Sequence, residues 1–327
     1  MQIYKYFTIR ILQRIKFVLC MCKDKWFLIV NPTSGSFTGK RKWRKIAATF
    51  EDLHIPFDFE FTTKPQHEYE LVIQGLKKGY RKFVSIGGDG TLHHIVNGLM
   101  EQKMVSLSEI KLGVIPLGTG NDWVKTYKIP KNITKAIQII KEEHTIFQDI
   151  GKLSLLNVDT TVFFNNVAGL GFDGYVVKHN ERLKFLGAAS FLVSTVLGLI
   201  RYKLSEFTIQ SAEKKLTSKS LLTIVGICQY SGGGMQLTKD VDSTDGLFDI
   251  SVAKHFTFWT LIRNVIGLFN GKIVNHKEVE TFKTDLITIE TSQKKVYIQA
   301  DGELIGTGGF TAEILPGTLQ FVVPNLD

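Results

Sequence analysis

Short β-branched or aromatic runs alternate with longer helical patterns through the first half of the chain, and nothing else in the sequence constrains the fold as strongly. Residues 26–30, 57–61, 83–86 and 112–115 read as strands. Residues 39–53, 68–79 and 92–100 read as helices, with further helices near Asp122 and over 133–143. Alternating strands and helices build a parallel sheet covered on both faces. In such sheets the loops after the strands gather at one edge, where a ligand is expected. After Asp149 the pattern changes to strand-like segments separated by Gly, Asp and Asn turns, and helical patterns are confined to 183–202 and 258–269. The expected organisation is an extension over 1–24, an α/β domain over 25–148 and a β-rich domain over 149–327.

Three of the first four strands end in glycine-bearing loops: Asn31-Pro32-Thr33-Ser34-Gly35, Gly87-Gly88-Asp89-Gly90-Thr91 and Gly118-Thr119-Gly120-Asn121-Asp122. Glycine lets successive backbone N–H groups approach a phosphate, helped by the following helix N-terminus. One such loop is as often an ordinary strand-to-helix turn; three on one sheet edge make a phosphate cradle. Two motifs are decoys. The run from Gly35 to Arg41 has three residues between its glycines, where a P-loop has four, and Arg41 stands where Ser or Thr should be. Gly169-Leu170-Gly171-Phe172-Asp173-Gly174 spells a dinucleotide fingerprint but lies in the β-rich half with no acidic residue about 20 positions on.

Charge and cysteine usage narrow the partners. Lys and Arg number 40 against 31 acidic residues, a net charge of +9 that favours anionic partners without choosing among them. Cys20, Cys22 and Cys228 are too few for a disulfide framework, which points to a reducing, cytoplasmic compartment. In residues 3–21, Lys5, Arg10, Arg14 and Lys16 interrupt the apolar run, so it is neither a clean membrane span nor a signal peptide. A basic amphipathic helix on a membrane and a translation start at Met21 both remain open there. The uncharged stretch 185–200 is short of a spanning helix and fits a buried or lipid-facing one.

Taken together, NPTSG, FTTKPQHEYEL, SIGGDGTLHHIVNGL, IPLGTGND, QDIGK, GLGFDG, GGGMQLTKDVDSTDGLFDI and QADGE, in that order from Asn31 towards the C-terminus, resemble the diacylglycerol kinase catalytic-domain family. That family includes soluble bacterial lipid kinases and is similar to sphingosine and ceramide kinases. The resemblance implies an α/β nucleotide-binding domain, a β-sandwich second domain and an active site in the cleft between them. It implies transfer of the γ-phosphate of ATP, with Mg²⁺, to a lipid hydroxyl, most simply diacylglycerol to phosphatidate. NAD kinase, kinases of other lipid alcohols and a non-catalytic lipid-binding homologue are the alternatives.

Carried over residue by residue, the resemblance implies nucleotide contacts at Asn31, Ser34, Gly35, Thr62, Gly87, Gly88, Asp89, Gly90, Thr91, Thr119 and Asn121. Lys40 is a further phosphate contact, although Lys40 to Lys42 equally reads as a solvated helix face. Asp89, Asp122 and Asp149 are the implied nucleotide-magnesium set, with a helix N-cap the other reading of Asp122. Asp301 is the implied catalytic base; on its residues alone, Asp301-Gly302 reads as a hairpin turn. A structural ion is implied at Asp245, with the carbonyls of Asp242 and Leu247, in a segment where Asp240, Asp242, Asp245 and Asp249 crowd together and need a positive neighbour. Adjacent helical positions do not share a face, so His93 and His94 are not a metal pair. Phe185, Phe191, Leu192 and Leu197 are expected to line an acyl-binding wall. The expected partners are a membrane lipid substrate and the membrane surface at the periphery, with no nucleic acid and a homodimer left open.

Overall fold

The structure, a computed structural model, describes residues 22–118, 120–180, 198, 202–256, 258–293 and 295–325. Most of the N-terminal extension, Thr119 and the four residues of the expected acyl wall lie outside the described residues. The chain divides into two compact units, one of Met1–Leu117, Pro130–Ile146 and Leu319–Asp327, the other of Gly118–Ile129 and Phe147–Thr318. Each unit is thus assembled from separated stretches of chain.

From the N-terminus the first elements are β1 (Trp26–Val30), α1 (Ser34–Asp52), β2 (Phe57–Phe61), α2 (His67–Lys77), β3 (Lys82–Gly87), α3 (Asp89–Glu101), β4 (Lys111–Pro116), α4 (Trp123–Thr126) and α5 (Ile133–Glu142). In the first unit β2, β1, β3 and β4 lie side by side in that order, all parallel. All five residues of β1 are buried, as a strand covered on both faces requires. On α1, Trp43, Ile46 and Phe50 recur at helical spacing. Ile46 and Phe50 are fully buried against Trp26, Leu28 and Val84, each contributing about 2 kcal/mol. Trp43 covers the edge strand β2, with ring centroids 4.2 Å from Phe59 and 5.5 Å from Phe61. Ile133, Ile137 and Ile140 of α5 complete the same core. Residues 320 and 321 add a further parallel strand against Lys111 and Leu112 of β4.

The register matters for function. Val30 is level with Phe61 and Ile86, and Ile86 with Ile115, so the loops after all four strands leave the sheet at one edge. α1 begins at Ser34, five residues earlier than its apolar pattern predicts, and Ser34 and Gly35 therefore belong to its first turn. The run from Gly35 to Arg41 lies inside this helix.

The second unit is β-rich. Besides α4 it holds most of β5 (Thr145–Leu155), then β6 (Thr161–Phe164), β7 (Val167–Gly171), α6 (Phe172–Asn180), β8 (Ser205–Gln210), β9 (Lys215–Ser220), β10 (Leu222–Gly226), β11 (Tyr230–Ser231), β12 (Met235–Gln236), β13 (Phe248–Ala253), α7 (Phe258–Arg263), α8 (Val265–Phe269), β14 (Val279–Thr284), β15 (Leu286–Glu290), β16 (Tyr297–Ala300), β17 (Glu303–Thr307) and the first part of β18 (Phe310–Val322), whose residues from 319 on belong to the first unit. One antiparallel sheet runs β14-β13-β10-β7-β16-β17. In another, β15 pairs with β8 and the start of β18, and β8 with β9. The letters of the dinucleotide fingerprint serve close packing here. A Cβ on Gly174 would lie 2.5 Å from the Tyr297 carbonyl oxygen, so glycine is what lets α6 lie against β16. Among the described residues no helix is long and apolar enough to cross a membrane.

Candidate active site

In the first unit the glycine loops are tied to one another. The Asn31 N–H donates to the Ile86 carbonyl at 2.9 Å, and the Asn31 amide donates to the Thr91 hydroxyl at 3.0 Å. Its amide oxygen accepts from the Thr33 N–H and hydroxyl at 3.1 and 2.9 Å. The Thr62 N–H donates to the Val30 carbonyl at 2.9 Å. Thr91 is buried, and a Cβ on Gly87 would lie 2.3 Å from its hydroxyl oxygen, so only glycine fits there. Asn31 and Thr91 therefore brace the first loop against the GGDGT loop, a job in addition to the nucleotide contact that the sequence suggests.

Both helices that follow these loops start without a side-chain cap, α1 after Thr33 and α3 after Gly88. The first-turn N–H groups of an uncapped helix are donors for an anion, and the helix dipole favours one. By contrast α5 is capped, with the Asn132 side chain accepting from the Lys135 N–H at 3.1 Å. Gly35 has φ 57°, the left-handed region that glycine tolerates. Asp89 and Gly90 are half-buried on the first turn of α3, while Lys40 is exposed on α1. Deeper in α3, burial and then the neighbouring His93 push the His94 imidazole down to about 4, which keeps it neutral.

In the second unit the expected ligand residues are held by protein partners. Asn121 is buried with φ 46°, and its amide turns back on its own loop, accepting from the Gly118 N–H at 3.1 Å and donating to the Gly118 carbonyl. Asp122 stands at the N-cap of α4 but makes no cap bond. Its carboxylate instead pairs with Lys125 at 2.6 Å and accepts from the Gly233 N–H at 2.7 Å. Asp149 accepts from the Gly246 N–H on one oxygen and the Gly317 N–H on the other, both at 2.7 Å. Burial pushes its carboxyl up, those N–H groups pull it down, and Asp245 and Asp242 add to the rise. Asp122 and Asp149 are thus engaged by different protein donors. Asp149 also lies within electrostatic reach of Asp245 and Asp242 of the acidic loop.

That loop has a built-in cation. Asp242 accepts from the Thr244 N–H and hydroxyl at 2.9 and 2.7 Å. Asp245 accepts from the Leu247 N–H at 3.0 Å and from the Lys283 ammonium at 2.7 Å, and Lys283 stands 3.4 Å from Asp249. Lys283 on β14 supplies positive charge of the kind that the crowded carboxylates need. Among the described residues no three His, Cys, Asp or Glu side chains gather as a metal site.

Asp249 gives a pH prediction. Burial pushes its carboxyl up to about 7, against the pull of Lys283, with Asp245 and Asp240 adding to the rise. The folded chain then holds a proton that the unfolded chain has released above about pH 4, so stability is lost as pH rises from about 4 to 7. Asp249→Asn is expected to raise unfolding free energy by about 1–3 kcal/mol at pH 8 and to leave it unchanged near pH 4. Denaturant titrations at the two pH values check this.

Asp301 sits in the two-residue connection between β16 and β17, with Ala300 opposite Glu303. Asp301 (φ 51°) and Gly302 (φ 83°) are both left-handed, the geometry of a type I′ hairpin turn. The turn reading of Asp-Gly is therefore right, and it does not exclude a chemical role. The Asp301 carboxylate is buried and aimed at the start of β7. One oxygen accepts from the Asn166 and Val167 N–H groups at 2.9 and 3.2 Å, the other from the Asn165 N–H at 3.2 Å. Behind the turn, the Gln299 amide accepts from the Gly302 N–H at 2.8 Å and donates to Asp173. Asp173 is buried, and burial pushes its carboxyl up to about 6. Lys125 and Lys283 lie outside every motif quoted above, whereas Gln299 lies in QADGE and Asp173 in GLGFDG, where the residue types alone do not mark either as a partner of Asp301.

Comparison with known proteins settles the family. The family model described as diacylglycerol kinase catalytic domain matches residues 25–153, and that described as YegS C-terminal NAD kinase beta sandwich-like domain matches residues 166–323. The chain belongs to the diacylglycerol kinase catalytic-domain family. It is a lipid kinase, with an α/β first domain and a β-sandwich second domain. The putative lipid kinase YtlR of Bacillus subtilis is 28% identical over 314 residues, covering 90% of this chain and 98% of the relative. A diacylglycerol kinase of Staphylococcus haemolyticus is 27% identical over 280 residues, covering 85% and 82%. The fold of this lipid kinase is similar to the crystal structure of a putative diacylglycerol kinase from Bacillus anthracis, with TM-score 0.74, 24% identity and coverage of 92% and 97%.

Proposed function

We propose that this lipid kinase transfers the γ-phosphate of ATP to the hydroxyl of diacylglycerol, giving phosphatidate, and works at the cytoplasmic face of a membrane. The observation that carries the reading is the match of both halves of the chain to the family's two domains, among relatives named diacylglycerol kinase. The linked loops at Asn31, Gly87 and Thr91 and the uncapped starts of α1 and α3 suit the triphosphate, with donors from the Ser34 hydroxyl and the Gly88 and Gly90 N–H groups. Phosphoryl transfer asks a protein mainly to position the phosphates and to take a proton from the attacking hydroxyl. Asp301 is proposed as the acceptor of that proton. Its three backbone donors fix the carboxylate's orientation. Magnesium, if bound with the nucleotide, would neutralise phosphate charge; Asp89 on the GGDGT loop is the carboxylate of the first unit suited to hold it.

The test is a transfer assay with radiolabelled ATP and a panel of diacylglycerol, monoacylglycerol, sphingosine, phosphatidylglycerol and NAD. Label is expected in phosphatidate. Label in NAD or in a sphingoid base, with none in phosphatidate, would overturn the assignment of substrate.

A further inference from the structure

The second unit carries an apolar stripe that the transfer chemistry does not use. Asn264 alone separates α7 from α8, and helical bonding runs through it: the Asn264 N–H donates to the Thr260 carbonyl at 3.1 Å, and the Leu268 N–H to the Asn264 carbonyl at 3.2 Å. On one such helix Trp259, Arg263 and Ile266 stand at i, i+4 and i+7 and share a face. Leu268, nine positions beyond Trp259 and so two and a half turns on, faces the other way. Burial follows this division. Leu268 is 8% exposed and packs in a cluster with Phe256 and Ile273, whereas Trp259 is 68% and Ile266 74% exposed, with Phe269 at 42%. Single exposed apolar residues are ordinary; three within eleven positions, on a face whose reverse is anchored in a core, form a contact surface.

Charge selects what the surface contacts. Residues 250–277 contain Lys254, Arg263, Lys272 and Lys277 and no Asp or Glu; Lys254 pairs with Glu280 at 2.7 Å, which leaves Arg263, Lys272 and Lys277 to set the sign of this face. A second copy would bring like charge against like. A purely apolar partner would strip water from Arg263 in the middle of the stripe. An anionic bilayer takes both components, because tryptophan favours the interfacial layer and basic side chains favour its headgroup phosphates. We propose that this face docks the protein onto an anionic phospholipid surface, with Trp259 and Ile266 entering the interfacial layer and Arg263 and Lys272 at the headgroups. The proposal deepens the lipid-kinase reading and rests on it only for its biological purpose, since docking is measured without turnover.

Sedimentation of the full chain with vesicles tests it, using mixed phosphatidylglycerol and phosphatidylcholine vesicles beside phosphatidylcholine alone. The unmodified protein is expected to partition about tenfold more strongly onto the anionic vesicles. Trp259→Ser with Ile266→Ser should weaken that binding about tenfold or more, with the melting temperature and the phosphorylation of a detergent-dispersed, short-chain lipid unchanged. Arg263→Gln with Lys272→Gln should weaken anionic binding and flatten its salt dependence. Unaltered vesicle binding by either pair, equal binding to both vesicle types, or a dimer that the apolar substitutions dissociate would overturn the proposal. A protein that binds vesicles but phosphorylates no lipid would leave docking standing and remove the substrate reading.

Discussion

Asp301→Asn is expected to lower kcat by about 10²- to 10⁴-fold, the range for losing a general base, while the KM for ATP stays within about threefold. Asparagine is the informative replacement because residue 301 has φ 51°, which Asn tolerates and Ala does not. The amide keeps one oxygen for the Asn166 and Val167 N–H groups but sets an NH₂ against the Asn165 N–H, a local cost of about 1–3 kcal/mol. A melting curve separates this cost from lost chemistry: the variant should stay folded at the assay temperature yet turn over slowly. Activity within about threefold of the unmodified enzyme would remove Asp301 from the role of base.

The second large effect is expected at a residue that carries no functional group. A Cβ on Gly39 would lie 2.1 Å from the Asn31 carbonyl oxygen and 3.1 Å from its carbon. These are backbone atoms, and that oxygen already accepts from the Ser34 N–H at 3.3 Å, so the clash cannot be relieved by turning a side chain. Gly39→Ala should push α1 off the first loop and carry the Asn31 side chain away from Thr91. The expected result is a loss of about 3 kcal/mol in unfolding free energy and a rise of about tenfold or more in the KM for ATP. Stability within about 0.5 kcal/mol of the unmodified protein, with an unchanged KM, would mean that the loop and helix are less tightly seated than described.

Periodicity made the sheet legible. Strand and helix patterns alternate cleanly, and a parallel sheet follows with its glycine loops at one edge, as the level positions of Val30, Phe61, Ile86 and Ile115 show. The start of α1 was not legible, because Ser34 and Gly35 have loop chemistry and enter the helix only through its position after β1. The acidic residues were legible as a group needing positive charge, but not in what supplies it. Lys283 is 38 positions from Asp245, and Gly233, Gly246 and Gly317 reach Asp122 and Asp149 through backbone N–H groups, which no residue type announces. Asp301 illustrates a different difficulty: turn and carboxylate are two readings of one dipeptide, and the structure holds both.

The parallel strand at residues 320 and 321 has a consequence for how the molecule is made. It pairs with Lys111 and Leu112, yet the ribosome delivers it roughly 200 residues after β4, when nearly the whole intervening chain has emerged. Until then β4 presents an unsatisfied edge, and a fragment cut at residue 153, where the catalytic-domain match stops, would present it permanently. The nascent first sheet therefore waits on distant sequence, and dissecting this kinase into halves for separate expression would invite edge-to-edge aggregation.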